Sequence, residues 1–368
     1  MKIALIDPIG SYGGMEYYDF GLLLGLIKAE CKPYFFTSYI SSKIPGISIS
    51  THTFFKNMWN QNLFLKILFF IFAHTKIFLF CNRNNINILH YQLFHLGIQN
   101  LFILFFAKIV FKKKVIVTLH DVNSLTGRKF SLFEDKSFKY IDGIIVHNSY
   151  SRDSLLKKNK FQNISIIPHG NYLNFVKPLR YSLSQDNNFN LLFFGQIKKA
   201  KGLKILLLAL KEVKKYLPKI NLTIAGKVAD DDSSRYLNFI SENNLKSNVN
   251  IHFKYILNEH VSDFFKNADL VVLPYNEIYQ SGVLLLTMSY GRAVLCSDLP
   301  PFKNVVKHNK SGFLFKKGNY NDLAKKIIQI HKNKNMIGKV VKNANELLRT
   351  KFDWNSIGKS TKAFYEKV

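Results

Sequence analysis

Short apolar runs alternate with segments of helical period along the first half of the chain. The runs long enough to be buried strands are 2–7, 33–37, 86–92, 114–121, 142–149 and 164–170. Segments with helical spacing, such as 151–159, lie between them. This alternation is typical of parallel sheets, because each strand needs a crossover to reach its parallel neighbour. The first half therefore predicts a doubly wound α/β domain.

The same pattern restarts after a polar stretch. Residues 177–190, KPLRYSLSQDNNFN, are rich in Ser and Asn and lack a helical period, which is typical of a linker between domains. Strands are predicted beyond it at 191–196, 220–226, 249–253, 269–275, 293–298 and 311–315. A chain of 368 residues is also too long for one ordinary core. We therefore predict two domains, 1–176 and 191–350, with ligands bound at the carboxyl ends of the strands in the cleft between them.

Two apolar segments of the first domain are long enough to be compared with membrane spans. They are NLFLKILFFIFAHTKIFLF at 62–80 and LFHLGIQNLFILFFAKIVFKKK at 93–114. Charged and polar residues interrupt both, which disfavours a span. We expect them to be helices of a soluble domain, mostly buried, with one Phe-rich and Lys-flanked surface. The alternative is a monotopic membrane contact, in which aromatic and basic residues lie at the headgroup level.

The charge composition indicates which kinds of molecule the chain could bind. Lys and Arg number 52 against 24 Asp and Glu, a formal net charge of +28, so nucleic acid, an anionic membrane and phosphorylated substrates are candidates. A genome rich in codons for Lys, Asn, Ile and Phe explains part of this excess. The three cysteines are far apart, which disfavours a disulfide framework or zinc site and fits a reducing cytoplasm. The start, MKIALIDPIGSYGG, lacks the long apolar run of a signal peptide.

Glycine-rich turns between strands and helices provide candidate phosphate sites. The turn GSYGGME at 10–16 follows the first strand, but it has neither the dinucleotide nor the P-loop spacing. In NEIYQSGVLLLTMSYGRAVLCSD, 276–298, the residues Ser281, Gly282 and Val283 would begin a helix whose free N–H groups suit a diphosphate. The alternative is that Ser281 merely caps this helix.

A third segment adds positive charge to this pattern. In FFGQIKKAKGL, 193–203, Gly195 ends a strand and Lys201 stands six residues further on, at a helix start. A lysine in this place puts a compact positive charge at the carboxyl edge of the second sheet. Taken alone, such a lysine is usually solvated.

In combination these motifs are specific. Together with VTLHD, VHNSYSRDSL, IIPHG, TIAG, KSGFLF and GNYNDLAKKI, they run in family order from residue 1 to about 330. The chain resembles the family 4 glycosyltransferases, and its Q-S-G form resembles a subgroup used in bacterial polysaccharide assembly. The resemblance implies the GT-B fold: two Rossmann-like, doubly wound domains facing a cleft, with a C-terminal helix, 351–368, crossing back to pack on the first domain.

The resemblance also implies roles for individual residues. The donor diphosphate would be bound by seven residues: Gly14, Gly195, Gln196, Lys201, Ser281, Gly282 and Val283. His120 would face the donor sugar near the reacting carbon, and Glu277 would be the catalytic carboxylate; a satisfied core histidine is the alternative for His120. The base region would include Gly226, Lys227 and Tyr255, and the acceptor side Gly13, Met15 and Glu16.

Two positions depart from the family pattern. Many members carry two Glu residues eight positions apart, where an ungapped comparison puts Ile278 and Leu286. These departures leave the catalytic carboxylate, and the retention of anomeric configuration usual in the family, as open points.

The implied activity is a metal-independent, cofactor-free transfer of a hexose from a UDP- or GDP-sugar to a lipid-linked or oligosaccharide acceptor. It would serve cell-surface polysaccharide biosynthesis, with retention of configuration, in the cytoplasm at the inner face of the membrane. One alternative is a catalytically degenerate partner that binds sugar nucleotides and supports another glycosyltransferase. A nucleic-acid binder rests on charge alone, because no RRM, KH or zinc-finger motif is present.

Overall fold

The chain forms two compact units. This computed structural model describes residues 1–10, 14–39, 49–56, 58–122, 132–157, 161–179, 188–229 and 231–368. The first unit comprises Met1–Gly170 and Phe352–Val368, and the second comprises Asn171–Lys351.

The first unit is built on a sheet of seven parallel strands. In chain order they are β1 (Lys2–Asp7), β2 (Lys32–Thr37), β3 (Ser50–His52), β4 (Ile88–Leu93), β5 (Lys114–Leu119), β6 (Gly143–Val146) and β7 (Ile164–Ile166). Their order across the sheet is β3-β2-β1-β4-β5-β6-β7. The helices of this unit are α1 (Met15–Lys28), α2 (Leu63–Arg83), α3 (Ile98–Phe105), α4 (Leu132–Ser137), α5 (Ser149–Leu156) and α13 (Trp354–Lys367). A π-helical turn, Phe106–Val110, extends α3.

The second unit is built on a sheet of six parallel strands. They are β8 (Phe189–Phe194), β9 (Ile220–Ala225), β10 (Val249–His252), β11 (Leu270–Leu273), β12 (Ala293–Ser297) and β13 (Phe313–Phe315), in the order β10-β9-β8-β11-β12-β13. The helices are α6 (Leu203–Lys214), α7 (Ser233–Glu242), α8 (Asn258–Lys266), α9 (Gly282–Ser289), α10 (Pro300–Lys303), α11 (Tyr320–Lys332) and α12 (Asn335–Thr350).

Burial on both faces explains why the strand sequences are apolar runs. All six residues of β4 are buried, and so are five of the six in β1. In the second unit, alternate residues of β8 and β9 form one core with the apolar stripes of α6 and α11. Helices on both faces of a parallel sheet produce this pattern. The predicted pair of Rossmann-like, doubly wound domains is confirmed.

The division between the units differs from the predicted linker. The chain passes into the second unit at Asn171, whose side-chain amide donates to the Leu348 carbonyl oxygen at 3.0 Å. Leu179 N donates to the Tyr290 carbonyl oxygen at 3.0 Å, so the residues from 171 to 179 pack on the second unit. The next strand begins at Phe189, inside the predicted linker 177–190. Residues 180–187 lie outside the described chain.

The last helix packs on the first. A Cβ atom on Gly25 of α1 would lie 2.1 Å from the Trp354 carbonyl oxygen, and a Cβ on Gly358 of α13 would lie 2.1 Å from the Gly25 carbonyl oxygen. The two backbones therefore touch, and only glycine fits at this crossing. The Trp354 side chain fills the space above Gly21 and Gly170.

The expectation that the two long apolar segments are mostly buried is wrong. Only 22% of the most apolar part of α2 is buried, although the helix is long and apolar enough to cross a membrane by length and composition. Its buried side chains all lie in its second half: Ala73, His74, Ile77, Phe78 and Cys81. The second segment, 93–114, does not form one continuous helix. Leu93 ends β4, the helix begins at Ile98, and the π-helical turn follows.

Candidate active site

Three of the predicted donor residues converge at the carboxyl end of β8. Gly195 follows this strand with a φ of 101°, a left-handed value that favours glycine. A Cβ atom on Gly195 would lie 3.7 Å from Lys201 Nζ and 3.1 Å from Val283 Cγ2. The small residue thus leaves open the space that the lysine ammonium and the start of α9 both face.

Lys201 is held by an aromatic ring rather than by an acid. It lies in a short 3-10 turn, Lys199–Lys201, directly before α6. Its Nζ donates to the hydroxyl of Tyr275 at 3.1 Å and lies 4.8 Å from the centroid of that ring. No carboxylate of the described residues forms an ion pair with Lys201. Its charge is therefore not neutralised by a described acid and can act on an anion.

The start of α9 offers backbone donors beside this charge. Ser281 is the N-cap, and its side chain accepts from Leu284 N at 3.2 Å, as the capping alternative requires. The amides of Gly282 and Val283 are the first two of the helix, and within the described chain no acceptor is recorded for them. Two free amides and the helix dipole attract an anionic group.

The predicted base region lies at the same edge of the sheet. Gly226 follows β9 beside Gly195, and its own Cβ would lie 1.9 Å from the Gly195 carbonyl oxygen, so this contact requires glycine. Lys227 accepts from Ile197 N at 2.9 Å, and its side chain is exposed. Tyr255 follows β10 and is 49% exposed. Gln196 is half-buried between these segments.

The carboxylate of Glu277 is exposed, but its backbone is fixed close to Lys201. The amides of Asn276 and Glu277 both donate to the Ala200 carbonyl oxygen, at 2.7 and 3.4 Å. Ile278, where the family resemblance places a Glu, is buried with 8% exposure. The segment therefore presents one carboxylate next to the lysine turn, supplied by Glu277.

Sequence reasoning missed two tyrosines of the second unit. Tyr275 is the partner of Lys201, and its position directly after the strand-end Leu273-Pro274 is the signal that could have found it. The Tyr172 hydroxyl would lie 2.7 Å from a Cβ on Gly282, so it stands at the start of α9. It lies far from the α9 segment in sequence, and nothing in its local pattern marks it.

In the first unit, His120 belongs to a chain of buried polar side chains. It follows β5, is 1% exposed, and its Nε2 lies 3.0 Å from Oε1 of Gln92. Its Nδ1 lies 3.3 Å from Nε2 of His147, whose Nδ1 faces the Ile167 carbonyl oxygen at 2.9 Å. Both ring nitrogens of His120 have protein partners, so contact with a sugar requires one of these hydrogen bonds to be exchanged.

Burial keeps these histidines neutral. It lowers the pKa of His90 and of His147 to about 3 and that of His169 to about 4. Burial, and then the neighbouring histidines, lower the pKa of His120 well below its ordinary value. At neutral pH the cluster therefore carries no charge.

The remaining predicted residues of the first unit lie at the start of α1. Gly14 is its N-cap in a left-handed conformation, with open space where a Cβ would stand. Met15 and Glu16 are both buried, and Gly13 lies outside the described residues. Asp7 at the end of β1 supports this turn, because its carboxylate accepts from the amides of Ile9 and Gly10.

Neither a group of metal ligands nor a cavity of the second unit marks another centre of chemistry among the described residues. Among the described ranges, no group of three or more His, Cys, Asp or Glu side chains could hold a metal ion. A cavity of about 670 Å³ opens in the second unit beside Asn190, Asn221 and Asn250. These residues lie near the amino ends of β8, β9 and β10, whereas Gly195 and Lys201 lie at the carboxyl edge. The charge of Lys201 and the free amides of α9 lie at the carboxyl edge instead.

Known proteins share sequence and fold with this chain. Residues 180–347 match the family described as "Glycosyl transferases group 1". An uncharacterized glycosyltransferase of Methanocaldococcus jannaschii is 27% identical over 266 residues, 69% of this chain and 68% of the relative. A GDP-mannose:glycolipid 4-beta-D-mannosyltransferase of Xanthomonas campestris is 28% identical over 129 residues, 35% of each chain. The structure of HepE from Anabaena with UDP and glucose aligns over the full length of both chains, with 16% identity and a TM-score of 0.74.

The fold and the matches define the class of protein. The two Rossmann-like units are those of a GT-B enzyme, and the segment 180–347 is of the group 1 type. The fold and the matches therefore support a glycosyltransferase of the GT-B fold, with the group 1 family matched over residues 180–347.

Proposed function

We propose that the chain transfers a hexose from a UDP- or GDP-sugar to a lipid-linked or oligosaccharide acceptor used in cell-surface polysaccharide biosynthesis. Binding of the nucleotide-sugar donor is supported by one observation: Gly195, Lys201 and the first amides of α9 converge. A nucleoside diphosphate has two phosphate groups, and this place offers a cation and two N–H donors to receive them.

The charges suggest how the transfer proceeds. As the bond between the sugar and the diphosphate breaks, negative charge develops on the leaving phosphate. The Lys201 ammonium and the amides of Gly282 and Val283 would stabilise that charge, and they are already in place before the reaction. We propose that these groups stabilise the leaving diphosphate sufficiently without a metal ion. The transfer would proceed with retention of configuration, and Glu277 and His120 would be its catalytic residues.

The nature of donor and acceptor is proposed from the relatives. One is named for GDP-mannose and a glycolipid, and another was solved with UDP and glucose. A lipid-linked acceptor would be presented at the membrane, so we propose that the enzyme works in the cytoplasm at the inner membrane face. The basic character of the chain, +28 in formal charge, supports an anionic surface as its surroundings.

Release of nucleoside diphosphate tests the proposal. Purified protein is incubated with UDP- and GDP-hexoses, with and without a membrane extract as acceptor. We expect release with one donor, and a loss of at least a hundredfold in Lys201→Ala, because one preorganised charge is removed from the leaving group. Lys199→Ala is the matched control, since this exposed lysine lies in the same turn. Equal rates for Lys201→Ala and the wild type would contradict the role of Lys201.

A second function is favoured by one observation. Ile278 and Leu286 stand where the family resemblance places carboxylates, and Ile278 is buried. The alternative is therefore a non-catalytic partner that binds a sugar nucleotide and supports another glycosyltransferase. Binding of a nucleoside diphosphate without any release from a sugar donor would favour this alternative.

A further inference from the structure

The first half of α2 exposes a dense set of apolar side chains. Leu63 is 75% exposed, Phe64 69% and Phe72 58%, and Ile67, Leu68 and Ile71 are exposed between them. No side chain from Leu63 to Phe72 is buried. Monomeric soluble proteins rarely expose a continuous apolar patch of this kind, so the surface calls for a partner. We refer to the residues 63–72 as the apolar face.

A second exposed stripe lies on the same side of the first unit. Phe102, Phe106, Ile109 and Val110 of α3 and its π-helical extension are each about half exposed. The crossovers from β3 to β4 and from β4 to β5 run in the same direction across the sheet, so α2 and α3 cover the same side when both are right-handed. The rings of Phe78 and Phe111, 4.6 Å apart, join the two elements. The apolar face is therefore part of a broader apolar surface.

The second half of α2 decides how this surface can meet a partner. His74, Ile77, Phe78 and Cys81 are buried, and the helix connects two strands of one sheet. The helix cannot cross a bilayer without leaving that sheet. Its first half can instead lie in the plane of an interface, with the apolar side chains inserted.

The charges around the surface identify the partner. From residue 31 to residue 120 the chain has nine Lys, one Arg and neither Asp nor Glu. Lys66 lies within the apolar face, and the Lys76 ammonium lies 4.3 Å from the centroid of the Phe72 ring. Within this segment the exposed apolar side chains are accompanied by cations and by no acid, so they match a bilayer with anionic headgroups, because both its acyl region and its surface charge are complementary.

We propose that the apolar face docks the first unit on a bilayer that contains anionic lipids, with α2 parallel to the membrane plane. Leu63, Phe64 and Phe72 enter the headgroup–acyl boundary, while Lys66 and Lys76 meet the lipid phosphates. This docking rests on the proposed place of work at the membrane, but it does not depend on the transfer chemistry, so the two can be tested separately.

Co-sedimentation of the full chain with vesicles tests this docking. Vesicles of phosphatidylcholine alone are compared with vesicles that contain one-third phosphatidylglycerol. We expect binding to the anionic vesicles, at least tenfold weaker binding to the neutral ones, and binding at least a hundredfold weaker in the triple variant Leu63→Ser/Phe64→Ser/Phe72→Ser. The control is Leu237→Ser/Leu257→Ser, which removes two exposed leucines from the second unit and should bind as the wild type does.

Tryptophan emission supplies a second readout on the intact protein. Trp59 is 53% exposed and stands four residues before α2, whereas the other tryptophan, Trp354, is buried. Docking should shift the emission to shorter wavelength on anionic vesicles, and Trp59→Phe should abolish the shift.

Three results would overturn the docking proposal. They are no binding of the wild type to anionic vesicles, equal binding of the triple variant, and equal binding to neutral vesicles. A wild-type dimer that the triple variant converts to a monomer, together with no vesicle binding, would show that the apolar face joins two copies of the chain. Nucleoside diphosphate release from a soluble donor should be unchanged in the triple variant, which separates this test from that of the proposed function.

Discussion

Acidification should destabilise the first unit of the chain well above the pH of ordinary acid denaturation. Five histidines of this unit are buried with lowered pKa values: His74, His90, His120, His147 and His169. Their rings stay neutral in the folded state, but each takes up a proton in the unfolded state as the pH falls through 6.5. The unfolded state thus binds more protons, so the stability present above pH 6.5 is lost progressively toward pH 4.

The size of the effect follows from linkage. Each buried histidine contributes a loss of about 1.3 kcal/mol between pH 7.5 and 5.5, so five contribute about 6.5 kcal/mol. The pair Asp7 and Asp19 opposes this loss, because burial raises both pKa values and the folded state retains a proton there. One retained proton offsets at most about 2.7 kcal/mol over the same two pH units, which leaves a net loss of about 4 kcal/mol. A typical stability of about 5–15 kcal/mol makes this a large fraction.

Tryptophan emission during urea unfolding reports the stability of the first unit, because both tryptophans of the chain belong to that unit. The free energy of unfolding is determined at pH 7.5, 6.5 and 5.5. His74→Phe should flatten the pH dependence by about 1.3 kcal/mol, since one titrating ring is removed from an aromatic pocket. His260→Gln, at an exposed position, should leave it unchanged. A stability that is constant or rises on acidification would refute the reasoning.

Three substitutions test the packing and the donor site. Gly195→Ala should weaken nucleotide binding by at least tenfold in calorimetry, because its Cβ enters the space before Lys201 and the left-handed φ is strained; unchanged affinity would argue against a phosphate in that space. Gly358→Ala should lower the free energy of unfolding by about 3 kcal/mol or more, because it overlaps the Gly25 carbonyl; an unaltered urea midpoint would contradict the close helix crossing. Ser281→Ala should cost about 1 kcal/mol through the lost cap, measured by thermal unfolding; no loss would mean that the hydroxyl does not cap α9.

The fold could be predicted from sequence because both sheets are parallel and buried on both faces. Such strands appear as continuous apolar runs, as in β1 and β8, whatever the details of the helices between them. The strand β3 was missed, because Ser-Thr-His at the edge of a sheet has no apolar run. The helix α12 was missed because it lies beyond the segment in which the motifs were found.

The candidate site was only partly predictable, for a different reason. Gly195, Lys201 and Gly282 occur in local motifs, so their approach to one another could be anticipated from the strand ends. Tyr172 meets Gly282, and Gln92 meets His120, only through tertiary packing, because each lies far from its partner in the sequence. The exposure of the apolar face could not be predicted from the sequence either, because a buried core helix has the same composition.

Thermal stabilisation by nucleotides tests the central claim most directly. The midpoint of unfolding is measured with UDP, GDP, ADP and CMP for the wild type, Lys201→Ala and Lys199→Ala. A ligand that binds the folded state raises the midpoint by mass action. We predict that UDP or GDP raises it in the wild type and in Lys199→Ala but not in Lys201→Ala. A rise of equal size in Lys201→Ala, or no rise with any nucleotide in the wild type, would contradict a diphosphate site at the start of α9.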